Sequence, residues 1–496
     1  MSRQAGILCP ISSLNGEFGI GQLGKPTYDF IEYLSSCGFS HWQILPTNPV
    51  GAGSSPYSSS SAFAGYFALI DPLNVVSLGL ASSLDLPSIY HQQNKVDYPY
   101  VEKEMEKFLR KSFQDFFSKS KNELLTAYDF FVSENAYWLN NYALYAALKS
   151  NNNNKPWYEW PDEFKFFRRV EISADDRIRE NIEYFKFVQF LFFKQWKELK
   201  YYAANKNIEI IGDMPIYVSY DSADVWSQIE LFDLNEDLSL KSVAGVPPDF
   251  FAQDGQLWGF PIYNWQKHQE TSFKWWQSRW SHLRNMFDFV RFDHFRAIEA
   301  YWSVPAYDST ARNGQWIKAP GRELLEALFT NNSKGMIAEN LGDISSEVEE
   351  LRKEFNIPGM KIFQFAFGGH ILSEHLPHFA EQNDIYYSGT HDNNVLKGWL
   401  KEANFDQINH LMNYYGTSIE TINSLWLVDR ILSSGANLVI IPIQDFMNLD
   451  ESSRTNIPGT VSADNWSWRF TQDQLLAINP KQIFDKLQFF GRNLSN

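Results

Sequence analysis

Apolar and polar positions along this chain come in blocks more often than in strict alternation. Short runs that are apolar on both faces and end in polar residues occur at 40–46, 67–71, 208–218 and 286–295. They continue at 335–340, 360–367, 385–391 and 438–445. Parallel strands covered by helices read this way, because no alternate position faces water. Eight such runs are what a (β/α)₈ barrel needs. Between them, 26–37 has apolar residues at helical spacing and opens on Pro26, which suits a first helical turn. Residues 345–355 begin Ser-Ser-Glu-Val-Glu-Glu, a serine cap followed by acidic first-turn residues. A third helix is expected over 425–432, with Gly435 as its stop.

Two intervals are too long for ordinary strand–helix connections. Residues 75–205 are rich in helix formers and aromatics and read as a mainly helical insertion. Residues 219–285 are dense in Pro, Gly, Asp and Trp and read as an irregular insertion over the mouth of the barrel. Insertions after strands at the C-terminal face build active-site walls in this fold. The expectation is one catalytic barrel over 1–496, with no separate C-terminal β-domain.

Composition narrows the function. A chain of 496 residues suggests about three domains at ~150 residues each, yet a barrel with insertions absorbs the same length. The aromatic share is high: 40 Phe, 24 Tyr and 17 Trp, or 16%. Such an excess serves either bulky packing or platforms for flat, sugar-like ligands, and composition does not separate the two. With 43 basic and 59 acidic residues the net charge is −16, which disfavours nucleic acid and anionic membranes as partners. Two cysteines, Cys9 and Cys37, form no disulfide framework and no metal cluster, which points to a reducing, cytoplasmic setting. The most apolar helical stretch, 185–196, is interrupted by Lys186, Gln189 and Lys194 and is too short to cross a bilayer.

Three acidic residues share one context, the tail of an apolar run just before the chain turns. Asp293 lies in Val-Arg-Phe-Asp-His-Phe-Arg, Glu339 in Met-Ile-Ala-Glu-Asn-Leu-Gly-Asp, and Asp392 in Ser-Gly-Thr-His-Asp-Asn-Asn. On a parallel barrel these positions open onto one mouth. Retaining glycosidic chemistry needs one ionised carboxylate as nucleophile and one protonated carboxyl as acid, in environments that push their pKa values apart. Arg291, two residues before Asp293 and so on the same strand face, is placed to pair with it. Glu339 has apolar and neutral sequence neighbours, which suit an acid. A lone carboxylate at a strand end commonly caps the next helix. Three together, each beside Arg, His or Asn, make that explanation weaker.

At these residues the chain resembles the 4-α-glucanotransferases (amylomaltases or disproportionating enzymes) of glycoside hydrolase family 77, in the α-amylase clan. The resemblance runs from about residue 5 to about residue 470. It rests on Trp42-Gln43-Ile44-Leu45-Pro46, Ser55-Pro56-Tyr57, Ser61-Ala62-Phe63-Ala64-Gly65 and Gly212-Asp213-Met214-Pro215. It also rests on Gly245-Val246-Pro247-Pro248-Asp249-Phe250-Phe251, Gly255-Gln256-Leu257-Trp258-Gly259, the three carboxylate segments, Gln444-Asp445, and Asn465-Trp466-Ser467-Trp468-Arg469. The resemblance implies that Asp293 is the nucleophile, Glu339 the acid/base and Asp392 the carboxylate that favours the distorted, oxocarbenium-like ring. It implies sugar contacts from Asp213, Arg291, His294 and His391, stacking by Tyr57, and further contacts from Ser55, Gln256, Trp258 and Asn465. Segment 245–259 resembles the family's loop over the cleft. No cofactor and no metal are implied, and maltooligosaccharides and α-1,4-glucans are the expected donors and acceptors.

The chain departs from the family pattern at Ser58, Tyr66-Phe67, Phe260, Asn394 and Thr455. These bear on chain-length and acceptor preference and leave the three carboxylates in place.

Overall fold

The structure is a computed structural model that describes residues 3–90, 94–169, 176–248, 253–330, 335–368 and 373–493. Its strands in chain order are β1 (Gln4–Leu8), β2 (His41–Gln43), β3 (Glu209–Met214), β4 (Ser242–Val246), β5 (Gln256–Pro261) and β6 (Phe289–Phe292). They continue with β7 (Ala300–Pro305), β8 (Gln315–Lys318), β9 (Met336–Ala338), β10 (Met360–Ile362), β11 (Ile385–Tyr387) and β12 (Leu438–Pro442). Eight of them form one parallel sheet in the order β10-β11-β12-β1-β2-β3-β6-β9. An isolated parallel bridge from Ala338 to Gly359 brings β9 back to the start of β10 and curls the sheet into a barrel. This is the expected (β/α)₈ architecture.

That last joint leans on side chains. The Ala338 N–H donates to the Pro358 carbonyl at 2.8 Å, and the Met360 N–H donates to Asn340 Oδ1, also at 2.8 Å. Asn340 is held from behind by donating Nδ2 to Glu349 Oε1 at 2.6 Å.

Seven of the eight expected runs contain barrel strands, and one does not. Residues 67–71 are no strand: Phe67–Leu69 is a 3-10 turn, and Asp71 caps the helix Pro72–Ser77 by accepting the Leu73 N–H at 3.1 Å. The carboxylate cap and the proline at the first helical position override the apolar run. Its place in the barrel belongs to β1, which pairs with β12 along its whole length and with β2 at Gly6↔His41.

The interval 75–205 holds the helices Tyr98–Lys119, Asn122–Glu134 and Ala136–Asn151 and ends in the helix Asp176–Asn205. Phe113, Phe116, Tyr128, Phe187 and Phe190 interlock there, with ring centroids 4.8–5.6 Å apart for the pairs Phe116–Phe187, Phe116–Tyr128, Phe113–Phe187 and Tyr128–Phe190. The last helix is tied to the barrel by Trp196, whose indole N–H donates to the Met286 carbonyl at 3.2 Å. Much of the aromatic excess is therefore packing, which buries large area per residue.

The interval 219–285 is less irregular than its composition suggests. It supplies β4 and β5, which join β7 and β8 in an antiparallel sheet of order β5-β4-β7-β8. The helix Lys274–Met286 follows and leads into β6, so residues 286–288 precede the strand. Among the described residues, the helices after β12 include Ser453's short turn, Gln472–Leu476 and Pro480–Phe489, with no further strand.

Candidate active site

The C-terminal ends of β3, β6 and β9, with the loop after β11, face one another across the mouth. Asp213 and Arg291 sit in register on neighbouring strands, paired as Asp213↔Arg291. Arg291 Nη1 lies 3.0 and 2.8 Å from the two Asp213 oxygens. Its Nη2 reaches forward to Asp293 Oδ1 at 2.8 Å. One buried guanidinium thus pairs with two carboxylates, and the fork geometry makes both contacts at once. Tyr57 adds a third partner by donating its hydroxyl to Asp213 Oδ2 at 2.8 Å. Burial pushes the Asp213 carboxyl above its ordinary value, while Arg291 and Tyr57 pull the other way.

Glu339 follows β9. Its Oε2 accepts the His294 N–H at 2.7 Å, and its own N–H donates to the Phe292 carbonyl at 3.0 Å. His294 adopts a left-handed backbone at φ 50°, a sparsely populated state for a non-glycine residue. That turn is what aims the amide at Glu339. Burial pushes Glu339 from 4.5 to about 8, with Asp293 and Asp392 adding to the rise and Arg291 opposing it. Desolvation pushes the His294 imidazole down to about 4.

Asp392 sits in the turn after β11. Its Oδ1 accepts from Asn456 Nδ2 at 2.6 Å, and its Oδ2 lies 3.3 Å from His391 Nε2. The His391 ring stacks on Tyr57 at 5.2 Å and 17°, and Trp466 leans on both at 5.7 and 5.8 Å. This stack links the Asp392 turn to the Asp213–Arg291–Asp293 group through Tyr57.

Opposite it, β5 carries Gln256 and Trp258, whose indole N–H donates to Gln256 Oε1 at 3.1 Å. The Trp258 ring meets His294 edge-on at 4.8 Å. Ser55 Oγ accepts the Tyr57 N–H at 3.2 Å and so fixes the start of that side chain. Asn465 precedes Trp466 of that stack in the chain. Its amide is consumed by the neighbouring loop, accepting the Ile457 N–H at 3.2 Å and donating to the Thr460 carbonyl at 3.0 Å. Residues 249–252 of the expected cleft loop, which include Asp249, Phe250 and Phe251, lie outside the described residues. His41 opens β2 at the N-terminal end of that strand, where its Nε2 lies 3.2 Å from Glu209 Oε2.

Sequence reasoning passed over Asn456, Arg454 and the role of Asp445. Nothing local marks Asn456 and Arg454, and the Gln444-Asp445 motif does not say what Asp445 holds, since these contacts lie 49 to 64 residues away in sequence. Among the described residues, no cluster of His, Cys, Asp and Glu is arranged to hold a metal, and no helix is long and apolar enough to cross a membrane.

A parallel barrel whose strand ends bring an arginine-paired aspartate, a buried glutamic acid and a third aspartate to one mouth is the framework of a carbohydrate-active enzyme. The sequence model of the 4-alpha-glucanotransferase family matches residues 9–474. A 4-alpha-glucanotransferase of Aquifex aeolicus is 45% identical over 502 residues, covering 99% of this chain and 100% of that protein. One from Clostridium butyricum is 39% identical over 488 residues, covering 97% and 99%. Among solved structures, the amylomaltase from Streptococcus agalactiae in complex with acarbose superposes with a TM-score of 0.93 at 35% identity, covering 99% of this chain and 100% of that one. The chain belongs to the 4-alpha-glucanotransferase family, and glucan transfer is its activity class.

Proposed function

We propose that this enzyme disproportionates maltooligosaccharides and linear α-1,4-glucans by a retaining double displacement. Asp293 attacks the anomeric carbon, and the glycosidic oxygen leaves with the Glu339 proton, releasing the reducing-end fragment. The Glu339 carboxylate then takes the proton of an acceptor 4-hydroxyl. That oxygen attacks the anomeric carbon from the face the glycosidic oxygen vacated, the bond to Asp293 breaks, and the carboxylate is freed. Asp392 holds ring hydroxyls and favours the flattened, positively charged ring. Asp213, Arg291, His294 and His391 surround the sugar before the cut, and Tyr57, Ser55, Gln256 and Trp258 extend the contacts. Asn465 adds a further sugar contact beside the 457–460 loop that its amide holds.

One observation carries the reading. Two carboxyls share one mouth in opposite environments: Asp293 is 2.8 Å from a guanidinium, whereas Glu339 is buried and raised to about 8. That split is what separates a nucleophile from an acid. Segment 245–259 would keep water from the intermediate and so favour a sugar acceptor.

Incubation with maltotriose tests the reaction. Glucose together with a ladder of longer chains is the expected outcome; new reducing ends without longer products would mean that water is the acceptor. Glu339→Gln tests the role assignment. It is expected to lose transfer from maltotriose yet still release fluoride from an α-maltosyl fluoride, whose leaving group needs no proton. Loss of both would remove Glu339 from the acid role. We also take the chain to be one domain, which predicts a single unfolding transition.

A further inference from the structure

The chemistry above uses Asp392 but leaves unexplained a set of buried and half-buried polar groups behind it. They all come from the stretch that follows β12. Asp445, 2% exposed, spans the turn that carries Asp392: its Oδ2 accepts the Ser388 hydroxyl at 2.6 Å and its Oδ1 accepts the Leu396 N–H at 2.7 Å. One carboxylate therefore fixes both ends of the 388–396 segment. Arg454 donates Nη2 to the Asp392 carbonyl at 2.7 Å and Nε to the Asn456 carbonyl at 2.7 Å. Asn456, 8% exposed, donates Nδ2 to Asp392 Oδ1 at 2.6 Å.

We propose that Asn456 is a positioning residue for Asp392, and that Arg454 and Asp445 form the frame that holds the two together. This rests on the reading of Asp392 as the third carboxylate of the site. A carboxylate in a turn can rotate about both side-chain torsions, and its oxygens must point at ring hydroxyls to do their work. The Asn456 amide fixes one oxygen by a short hydrogen bond, and His391 Nε2 stands beside the other. An amide is suited to this because it orients the oxygen without bringing a charge. The arrangement parallels the partners that orient ligating side chains in other sites, whose loss costs about 10- to 100-fold in function. Glu402, the last residue of the helix Leu396–Glu402, faces Arg454 electrostatically and accepts the Asn394 amide at 2.7 Å, so the frame is anchored in that helix.

The test compares Asn456→Ala and Asn456→Asp with wild type and with Asp392→Asn, using maltotriose kinetics from pH 4.5 to 9 and thermal melting. Charged or titratable groups facing the pair are His391, Arg454, Glu339 and Tyr57. Asn456→Ala should lower kcat about 10- to 100-fold with a smaller change in KM, because a misdirected Asp392 costs most in the transition state. Asn456→Asp places a second carboxylate against Asp392, and two like charges so close share a proton. That variant should be impaired at pH 7 and recover toward acid pH, where the new acid can donate to Asp392 as the amide did. A merely structural residue would change the melting temperature and leave the shape of the pH profile alone. Wild-type kcat in Asn456→Ala, or an Asn456→Asp profile that parallels wild type, overturns the proposal. If Asn456→Ala does not fold, the isosteric Asn456→Asp decides alone. Should Asp392→Asn retain full activity, the reading of the site itself fails, whatever Asn456 does.

Discussion

Replacing Glu339 by Gln should make this protein more stable, and increasingly so as the pH rises. The carboxyl is buried, and its pKa goes from 4.5 to about 8 on folding. In the unfolded chain it ionises near 4.5; in the folded protein it keeps its proton until about 8. The folded state therefore binds more protons across that window, and its stability falls as the pH climbs through it. At about 1.36 kcal/mol per unit, the accumulated cost at pH 8 and above is about 5 kcal/mol. Gln has the shape of the protonated acid, no charge, and an oxygen that can still accept the His294 N–H. Urea unfolding of both proteins at unit steps from pH 5 to 9 measures the difference, in which the groups common to both largely cancel. Glu339→Gln is expected to match wild type within about 1 kcal/mol at pH 5, gain steadily to pH 8, and level off. A difference independent of pH, or one that favours wild type at pH 8, would refute the claim that burial holds the proton on Glu339. The variant should meanwhile lose most of its transfer activity, an exchange of stability for function common at active sites.

Other outcomes follow from the same contacts. The alkaline limb of the wild-type kcat/KM profile should fall near pH 8 as Glu339 ionises, and a limb that stays flat to pH 10 would disconnect it from catalysis. Tyr57→Phe removes the hydroxyl donated to buried Asp213 and should lower kcat/KM about 10-fold, read by maltotriose kinetics. Arg492→Ala strips a fully buried guanidinium from the carbonyls of Gln4, Leu432 and Ser434; urea unfolding should report a loss of about 3–5 kcal/mol.

Much of the barrel can be read from the chain because a strand covered on both faces must be apolar throughout, and its polar C-terminal residue then stands out. Residues 289–293 and 336–339 are such cases, and they gave Asp293 and Glu339 away. The strand that escaped, β1, is Gln-Ala-Gly-Ile-Leu. Its middle residue has no room for a side chain: a Cβ on Gly6 would lie 2.6 Å from Ile440 and 2.7 Å from His41. Crowding by neighbours thus removed the very bulk that marks a strand, while residues 67–71 carried that bulk into a capped turn. The antiparallel sheet was hidden for a different reason, since its two hairpins, β4–β5 and β7–β8, join only through the β4–β7 pairing, which spans β6 in the chain. Asn456 looks like an ordinary loop polar residue until folding brings it to the Asp392 turn, and Asp445, the tail of the 438–445 run, shows its part only when that turn closes on it.

The side-chain joint between β9 and β10 lies one residue from Glu339. Asn340 closes the sheet onto Met360 with its amide oxygen, while the residue just before it is Glu339, the proposed acid. Completing the barrel and setting the acid in place are thus the same event. A refolding sample should regain transfer activity in step with the closed fraction, so that the enzyme's own turnover counts finished barrels in a mixture where helix content is already native.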